Sequence, residues 1–220
     1  MIRAFIISIP DHPISQAATR VCIQSINSTA SDLTAEIAPA VTPATMSECK
    51  WTWPLRKKHI CPLTGLLLSA YKTADINKRI ACAQSHYMLW KKCIEINEPI
   101  LILEHDALFV KKFSYNDFDG GAMSINSPIN ATFNSKGYDQ ALLPGINPVP
   151  WVTEVNIPQG LPGNSAYVIK PWAAQQLIDA QHSIGWWPND AIMCRQLFDW
   201  LRAVKPYYTQ VQGLASTTVN

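Results

Sequence analysis

The sequence predicts one α/β domain in which helices flank a mostly parallel central sheet. Residues Ile100–Leu103 form an unbroken aliphatic run directly after Pro99, which is typical of a strand buried on both faces. Residues 75–97 carry apolar side chains at steps of three and four, so a helix with one apolar stripe leads into that strand. Strand-like and helix-like segments alternate through most of the remaining chain, as expected of α/β layering.

The composition restricts the classes of protein to consider. Hydrophobic residues make up 48% of the 220 residues and charged residues 15%, which is typical of a globular chain. A net charge of +2 is too small to indicate nucleic acid as the main partner. The six cysteines include no Cys-x-x-Cys pair, and no apolar run approaches the ~18 residues of a membrane span. We therefore expect a single domain over residues 1–220, in the cytoplasm, with no transmembrane segment.

The amino-terminal part of the chain predicts a strand, a helix and a second strand. Ile2–Ile9 is a β-rich run that ends at a proline, and Ser15–Ile26 carries apolar residues at helical spacing. Leu33–Val41 is expected to be the second strand. Residues 45–62 show neither helical nor strand periodicity and contain tryptophans, prolines and basic residues, so we predict a loop or lid there.

The central helix has clear signals at both ends. Asp75 stands where an N-cap belongs, and Asn97 lies where the helix must end before the next proline. After the aliphatic strand, Gly121–Ile125 is a further candidate strand. Residues 126–150 are rich in Asn, Pro, Ser and Gly, and we expect them to form a second long loop or lid.

The carboxyl-terminal part predicts two more strands and two more helices. Ser165–Ile169 is strand-like, and Pro171 stands at the favoured first position of the next helix. Asn189–Leu201 is expected to be a helix with Asn189 as its N-cap. Lys205–Val211 is the expected last strand, and residues 213–220 form a polar tail.

Two carboxylates follow the buried strand. On an extended chain Glu104 and Asp106 point to one side and His105 to the other. Ligands of open α/β sheets bind beyond the carboxyl ends of strands, where these acids lie. Two close carboxylates repel each other unless a proton or a cation intervenes, and Mg²⁺ or Mn²⁺ with a substrate phosphate would meet that need. The other interpretation is an acidic pair that ends a strand in solvent.

Four segments of the chain, in order, carry motifs: Ile80–Trp90, Ile102–Ala107, Gly163–Ile169 and Trp187–Asp190. They resemble, in the same order, the Ile-Gly-Cys-Ala-x-Ser-His-x-x-Leu-Trp helix, the Leu-Glu-Asp-Asp-Val strand, the Gly-x-x-Ala-Tyr-Leu-Ile segment and the Pro-x-Asp motif of glycosyltransferase family 25. This family includes lipooligosaccharide and collagen galactosyltransferases, and Ser216–Thr218 stands where relatives have Ser-Asp-x.

The chain also departs from the family pattern. Lys78 and Arg79 stand where relatives have Gly-Glu, and His105 replaces the central acid of the Glu-Asp-Asp motif. Ser8 follows the first strand where relatives have Asn-Leu. The first and third acids of the motif, Glu104 and Asp106, are retained, so the resemblance implies that the metal-binding pair is intact.

The resemblance implies a GT-A fold and transfer of a hexose, galactose or glucose, from a UDP-sugar to a hydroxyl of an acceptor glycan. A divalent metal, Mn²⁺ or Mg²⁺, on Glu104 and Asp106 would neutralise charge on the departing nucleoside diphosphate. An inverting displacement also needs a base, for which Asp190 is the candidate and Glu154 the reserve. The alternative role for Asp190 is a first-turn acid that stabilises the helix dipole.

Six further residues are candidates for contact with the substrates. Ser85 and His86 are placed to contact donor phosphates, although His86 could instead bond a neighbouring carbonyl. Asn164 and Ser165 precede a strand and could bind hydroxyls of the donor sugar, unless they only satisfy a turn. The substrate-binding candidates are Ser8, Ser85, His86, His105, Asn164 and Ser165.

Two alternatives to a transferase remain open at this point. The departures from the family pattern are compatible with an inactive module that binds a glycan or a nucleotide-sugar on the same fold. A metal phosphoesterase would use the same acidic pair, but the sequence places no third carboxylate beside it.

Overall fold

The computed structural model of the protein describes residues 1–215 and 217. The predicted tail residues Ser216 and Thr218–Asn220 lie outside the described part. Five helices and eleven strands occur in the described residues. The helices are α1 (Pro13–Ser28), α2 (Ile76–Ile96), α3 (Ser135–Ala141), α4 (Pro171–Ile184) and α5 (Asn189–Ile192). The strands are β1 (Ile2–Ser8), β2 (Leu33–Pro39), β3 (Lys58–Ile60), β4 (Leu67–Ser69), β5 (Ile100–Glu104), β6 (Ala107–Phe109), β7 (Ala122–Ser124), β8 (Gly145–Pro148), β9 (Ala166–Ile169), β10 (Leu201–Lys205) and β11 (Thr209–Val211).

Within the described residues, seven strands form the central sheet in the order β2-β1-β5-β9-β7-β10-β8. Strands β2, β1, β5, β7 and β10 run in one direction, and β9 and β8 run in the other. The prediction of an α/β fold with a mostly parallel sheet is therefore confirmed. Two small antiparallel ribbons, β3 with β4 and β6 with β11, complete the strand pairing.

The central strands β5, β9 and β7 are buried on both faces of the sheet, and their side chains alternate between two cores. In β5, Ile100 and Ile102 join the core on one face, and Leu101 and Leu103 join the core on the other. Helices α2 and α4 pack against each other over the first face, while α1 and β6 cover the second. All four β5 side chains are fully buried, as the unbroken aliphatic run predicts.

Helix α2 begins and ends where the sequence places its boundaries. The Asp75 carboxylate accepts a hydrogen bond from the Asn77 backbone N–H at 2.9 Å, which satisfies a free amide of the first turn. Asn97 adopts the left-handed conformation (φ 51°) that ends many helices. The buried face of α2 packs against α4, and α2 also contacts β5 on one face of the sheet.

The predicted helix over Asn189–Leu201 is wrong. Only one helical turn, α5, forms, and its N-cap is Pro188, not Asn189. Met193 and Cys194 are both fully buried, so these apolar residues do not form the single stripe of an amphipathic helix. The backbone N–H of Arg195 donates to the Gln159 carbonyl at 3.0 Å, so a loop partner replaces the helical one.

Three other segments differ from their predicted structure. The predicted last strand, 205–211, is interrupted at Pro206, which lacks an N–H for the ladder, and its parts belong to β10 and β11. The predicted loop 45–62 contains β3, and the predicted loop 126–150 contains α3 and the edge strand β8. The sequences of β3 and β8 are too short to show a clear alternation of apolar and polar residues, so neither strand is recognisable without the strand it pairs with. In the described part of the chain, no helix is long and apolar enough to cross a membrane, and the cytoplasm stays a prediction.

Candidate active site

A cleft of about 1220 Å³ opens at the carboxyl ends of β1 and β5, the edge where α/β sheets bind ligands. Eight of the nine predicted site residues line it, although they come from four separate parts of the chain. The eight are Ser85, His86, Glu104, His105, Asp106, Asn164, Ser165 and Asp190.

Glu104 and Asp106 lie next to each other at the end of β5. Burial and, to a smaller extent, the negative charge of Glu104 together raise the pKa of the Asp106 carboxyl to about 7. The Asp106 Oδ1 atom is buried and has no hydrogen-bond partner among the described residues. An unpartnered carboxylate oxygen beside a second acid is a donor set that fits a hard divalent cation.

The predicted orientation of His105, away from the two acids, is wrong. Strand β5 ends at Glu104, and residues 105–106 form a turn, so the alternation of a strand does not apply to them. His105 lines the same cleft as its neighbours. Burial lowers its pKa, while the Glu104 carboxylate acts in the opposite direction.

Asp190 reaches the cleft from the first turn of α5. Burial raises the pKa of its carboxyl, and the charge of Glu104 adds to the effect, whereas Arg79 opposes it. The Asp190 carboxylate in turn acts with burial to raise the pKa of the neighbouring Tyr71 hydroxyl. The fold therefore brings a third acid into the electrostatic field of the pair, which the order of the residues along the chain does not reveal. The reserve candidate Glu154 is exposed and does not line the cleft.

Arg79 and Tyr71 are site residues that the sequence reasoning missed. The Arg79 guanidinium lies 4.7 Å from the centroid of the Tyr71 ring and donates to the Lys72 carbonyl at 3.1 Å. Its buried Nε has no hydrogen-bond partner among the described residues. The one available signal was that a basic residue stands at 79 where relatives carry an acid. Arg79 and its neighbour Lys78 are basic residues that line the cleft together with its three acids.

Three polar residues of the cleft are held in different ways. The Ser85 hydroxyl donates to the Ala81 carbonyl and accepts from the Val41 backbone N–H, both at 2.9 Å. Its proton and one of its lone pairs are therefore already bonded within the protein. The Ser165 hydroxyl lies 3.5 Å from Glu104 Oε2. Asn164 is 6% exposed, and its buried Oδ1 has no partner among the described residues. Asn164 thus keeps an unpartnered acceptor for a ligand hydroxyl, whereas the Ser85 hydroxyl already has partners.

The prediction that Ser8 binds substrate receives no support. Its side chain is buried, and its Oγ accepts a hydrogen bond from the Thr19 hydroxyl at 2.8 Å. Ser8 therefore ties β1 to α1, and it does not line the cleft, although Ile7 and Ile9 on either side do. The alternation of side chains along the strand turns it away from the ligand side.

His86 connects the cleft to the core between α2 and β9. Its Nδ1 lies 2.9 Å from the Tyr167 hydroxyl, which also accepts from the Trp90 indole N–H at 2.9 Å. Its Nε2 lies 3.4 Å from Glu104 Oε1. Ligand atoms of Cys82, His86 and Glu104 lie within 4.8 Å of one another, which makes this trio a second arrangement that could hold a metal.

The Cys82 thiol keeps its proton in the metal-free protein. Burial raises the pKa of this thiol well above the ordinary value, and the charges of Glu104 and Asp190 add to that effect. The thiol lies 3.7 Å from Asn189 Oδ1, within reach of a weak S–H hydrogen bond.

A largely parallel α/β sheet with carboxylates at its strand ends, facing one large cleft, is an arrangement typical of glycosyltransferases. The sequence profile described as glycosyltransferase family 25 (LPS biosynthesis protein) matches residues 23–134, just over half of the chain. The chain therefore belongs to glycosyltransferase family 25, and the predicted resemblance is confirmed.

The chain is similar to the crystal structure of the glycosyltransferase GlyE in Streptococcus pneumoniae TIGR4, with 12% sequence identity and a TM-score of 0.45. The match covers 93% of this chain and 46% of that one, so the chain spans less than half the length of that structure. A search of curated proteins gave no match.

Proposed function

We propose that the protein transfers a hexose, galactose or glucose, from a UDP-sugar to a hydroxyl of an acceptor glycan, assisted by Mn²⁺ or Mg²⁺. Membership of glycosyltransferase family 25 supports the reaction class and, through the family's description, a glycan of the lipopolysaccharide type as the acceptor. The single observation that carries the metal-assisted form is the buried, unpartnered Oδ1 of Asp106 beside Glu104.

Glu104 and Asp106 would hold the cation through their carboxylate oxygens. When bound, it supplies positive charge that stabilises the departing nucleoside diphosphate and orients its phosphates. Two protein carboxylates leave positions for phosphate oxygens and water in an octahedral shell. The raised pKa of Asp106, about 7, adds a pH requirement, because the carboxyl must lose its proton before it can bind a cation.

Asp190 is the proposed base that takes the proton from the acceptor hydroxyl. Its carboxylate shares the cleft with the acidic pair, and Tyr71 and Arg79 line the cleft beside it. The raised pKa brings its basicity nearer to neutral pH, where a general base is most effective. A base that activates the acceptor directly is expected to invert the anomeric configuration.

Asn164 is the proposed contact for a hydroxyl of the donor sugar. Its Oδ1 is a buried acceptor without a partner among the described residues, and leaving such an atom unpaired costs about 1–3 kcal/mol. A sugar hydroxyl in the cleft would recover that cost. An Asn164→Ala variant should therefore raise KM for the donor more than it lowers kcat.

The test measures UDP release and sugar transfer from UDP-galactose and UDP-glucose, with Mn²⁺, with Mg²⁺ and with EDTA. Glu104→Gln and Asp106→Asn should lose metal-dependent donor binding while retaining the circular dichroism spectrum of the wild type. The matched controls Glu95→Gln and Asp179→Asn change exposed acids outside the cleft and should behave as wild type. Unchanged donor affinity in both cleft variants would overturn the metal assignment.

The stereochemistry and the turnover are tested separately. The anomeric configuration of the product, read by NMR, should be opposite to that of the donor, and retention would remove Asp190 from the role of base. Tight binding of UDP without transfer or hydrolysis, over a panel of donors and acceptors, would identify the chain as a binding module instead.

A further inference from the structure

Three buried aromatic side chains lead from the core to Glu104. Trp90 and Tyr167 are fully buried and His86 is 1% exposed, so water does not supply their hydrogen bonds. The Trp90 indole N–H donates to the Tyr167 hydroxyl, which lies 2.9 Å from His86 Nδ1. His86 Nε2 lies 3.4 Å from Glu104 Oε1, a contact that is not aligned as a hydrogen bond, so Nε2 has no hydrogen-bond partner among the described residues. The contacts form one chain, Trp90–Tyr167–His86–Glu104.

The protons in this chain can be assigned by counting donors. An indole nitrogen only donates, so the Tyr167 oxygen must be the acceptor in its contact with Trp90. The remaining hydroxyl proton of Tyr167 has one acceptor within reach in the described residues, His86 Nδ1. A buried hydroxyl proton without an acceptor is costly, so Nδ1 is the acceptor in the favoured neutral form.

The position of the second imidazole proton follows. If Nδ1 accepts, the proton of a neutral imidazole lies on Nε2, and an imidazolium carries a proton on Nε2 as well. The only form with a free Nε2 lone pair puts the proton on Nδ1, which leaves the Tyr167 hydroxyl proton without a partner. Nε2 therefore faces Glu104 as a donor and not as a metal ligand.

We infer that His86 is a positioning residue whose Nε2–H attracts the Glu104 carboxylate electrostatically across 3.4 Å, and that the trio of Cys82, His86 and Glu104 is not a site for a soft metal such as zinc. With the Ser165 hydroxyl 3.5 Å from Oε2, both oxygens of Glu104 face a donor from the fold. The orientation of this carboxylate is thereby set from the core. The consequence for sugar transfer rests on the proposed function, whereas the proton assignment does not.

The first test reads the imidazole protonation directly. In ¹⁵N-labelled wild-type protein, long-range ¹H–¹⁵N spectra should report a protonated Nε2 for His86, identified by the signals that disappear in His86→Gln. Those signals should keep their positions when Zn²⁺ is added. A wild-type His86 with Nε2 unprotonated, or a shift that marks Nε2 coordination by Zn²⁺, would overturn the proposal. This arm needs no activity, so it decides the assignment even if the protein transfers no sugar.

The second test uses Co²⁺ as a spectroscopic probe of the trio. The wild-type protein should show no thiolate-to-cobalt charge-transfer band. A band that appears in wild type and disappears in Cys82→Ser would assign the trio as a metal site and refute the positioning role. Tyr167→Phe removes the hydroxyl that keeps the proton on Nε2, so a Co²⁺ band that appears in this variant and is absent from wild type would support the assignment.

The third test compares two replacements of His86. Gln keeps an N–H that can reach Glu104, whereas Leu keeps only the volume. His86→Leu should lose transfer by about tenfold to a hundredfold, the range found when an outer partner of a metal-binding carboxylate is removed. His86→Gln should stay within about threefold of wild type in the same assay. Equal losses in the two variants, with both melting as cooperatively as wild type, would contradict a positioning role through the N–H group.

Discussion

Asp106 makes the stability of the cation-free protein depend on pH in an unusual direction. Its folded-state pKa of about 7 lies above the ordinary value of 3.8, because burial and Glu104 disfavour the charged form. Between about pH 4 and 7 the folded state therefore keeps a proton that the unfolded state has lost. Under this condition the free energy of unfolding falls as pH rises, and the full cost is present above pH 7.

The magnitude follows from the shift. A difference of about three pKa units corresponds to about 4 kcal/mol at 1.36 kcal/mol per unit. About 3 kcal/mol of this should develop between pH 5 and pH 8, since part of it is already present at pH 5. Asp106→Asn removes the titrating group, so the variant should gain stability relative to wild type by about that amount over the same range.

The assay is urea unfolding of wild type and Asp106→Asn at both pH values, in EDTA and in saturating Mn²⁺. The difference between the two proteins isolates Asp106 from the other titrating groups. Mn²⁺ should stabilise wild type at pH 8 much more than Asp106→Asn. Asp179→Asn, at an exposed position, should show no pH-dependent difference. A variant-minus-wild-type difference that is the same at pH 5 and pH 8 would refute the reasoning.

Three further predictions concern the other side of the cleft. Asp190→Asn should lower kcat by about 10²–10⁴-fold, as expected for loss of a general base, without weakening UDP binding measured by calorimetry. Arg79→Met should raise the pKa of Asp190, because it removes the cation that opposes the shift, so the acidic limb of the pH–rate profile should move to higher pH. Gly160→Ala should lower the free energy of unfolding by about 1–3 kcal/mol, because the added Cβ would lie 2.3 Å from the Asp190 carbonyl oxygen.

Each of these predictions has a contradicting result. Loss of UDP affinity in Asp190→Asn equal to the loss in kcat would assign Asp190 to donor binding. If the acidic limb of the pH–rate profile does not move in Arg79→Met, the charge of Arg79 does not affect the pKa of the catalytic base. Gly137→Ala is the control for Gly160→Ala, because nothing lies within 4 Å of its added Cβ. Equal melting curves for the two glycine variants would show that the loop around Gly160 accommodates the added methyl group without loss of stability.

The features that local sequence determined are those with a strong period or a clear boundary signal. Helix α2 and strand β5 were predictable because the apolar stripe, the Asp75 cap and the aliphatic run each express local preferences of the chain. The acidic pair was identifiable because it directly follows that strand. The family was identifiable because four motifs occur in the expected order.

The features that local sequence did not determine depend on contacts between distant parts of the chain. Asn189–Leu201 has helical spacing, but its apolar residues are buried on several sides and its backbone bonds to the Gln159 loop. Strand β9 reads like its neighbours, and only its hydrogen bonds to β5 and β7 make it antiparallel.

The sequence by itself determined that this is an α/β protein of glycosyltransferase family 25 with two acids at the end of a buried strand. Only the tertiary structure decided that Asp190 and Arg79 face those acids and that His86 bonds to Tyr167 on one side while its Nε2 faces Glu104 on the other. The physical reason is that periodicity and capping act within a few residues, whereas charges and hydrogen bonds across a cleft are set by how the sheet and its helices pack.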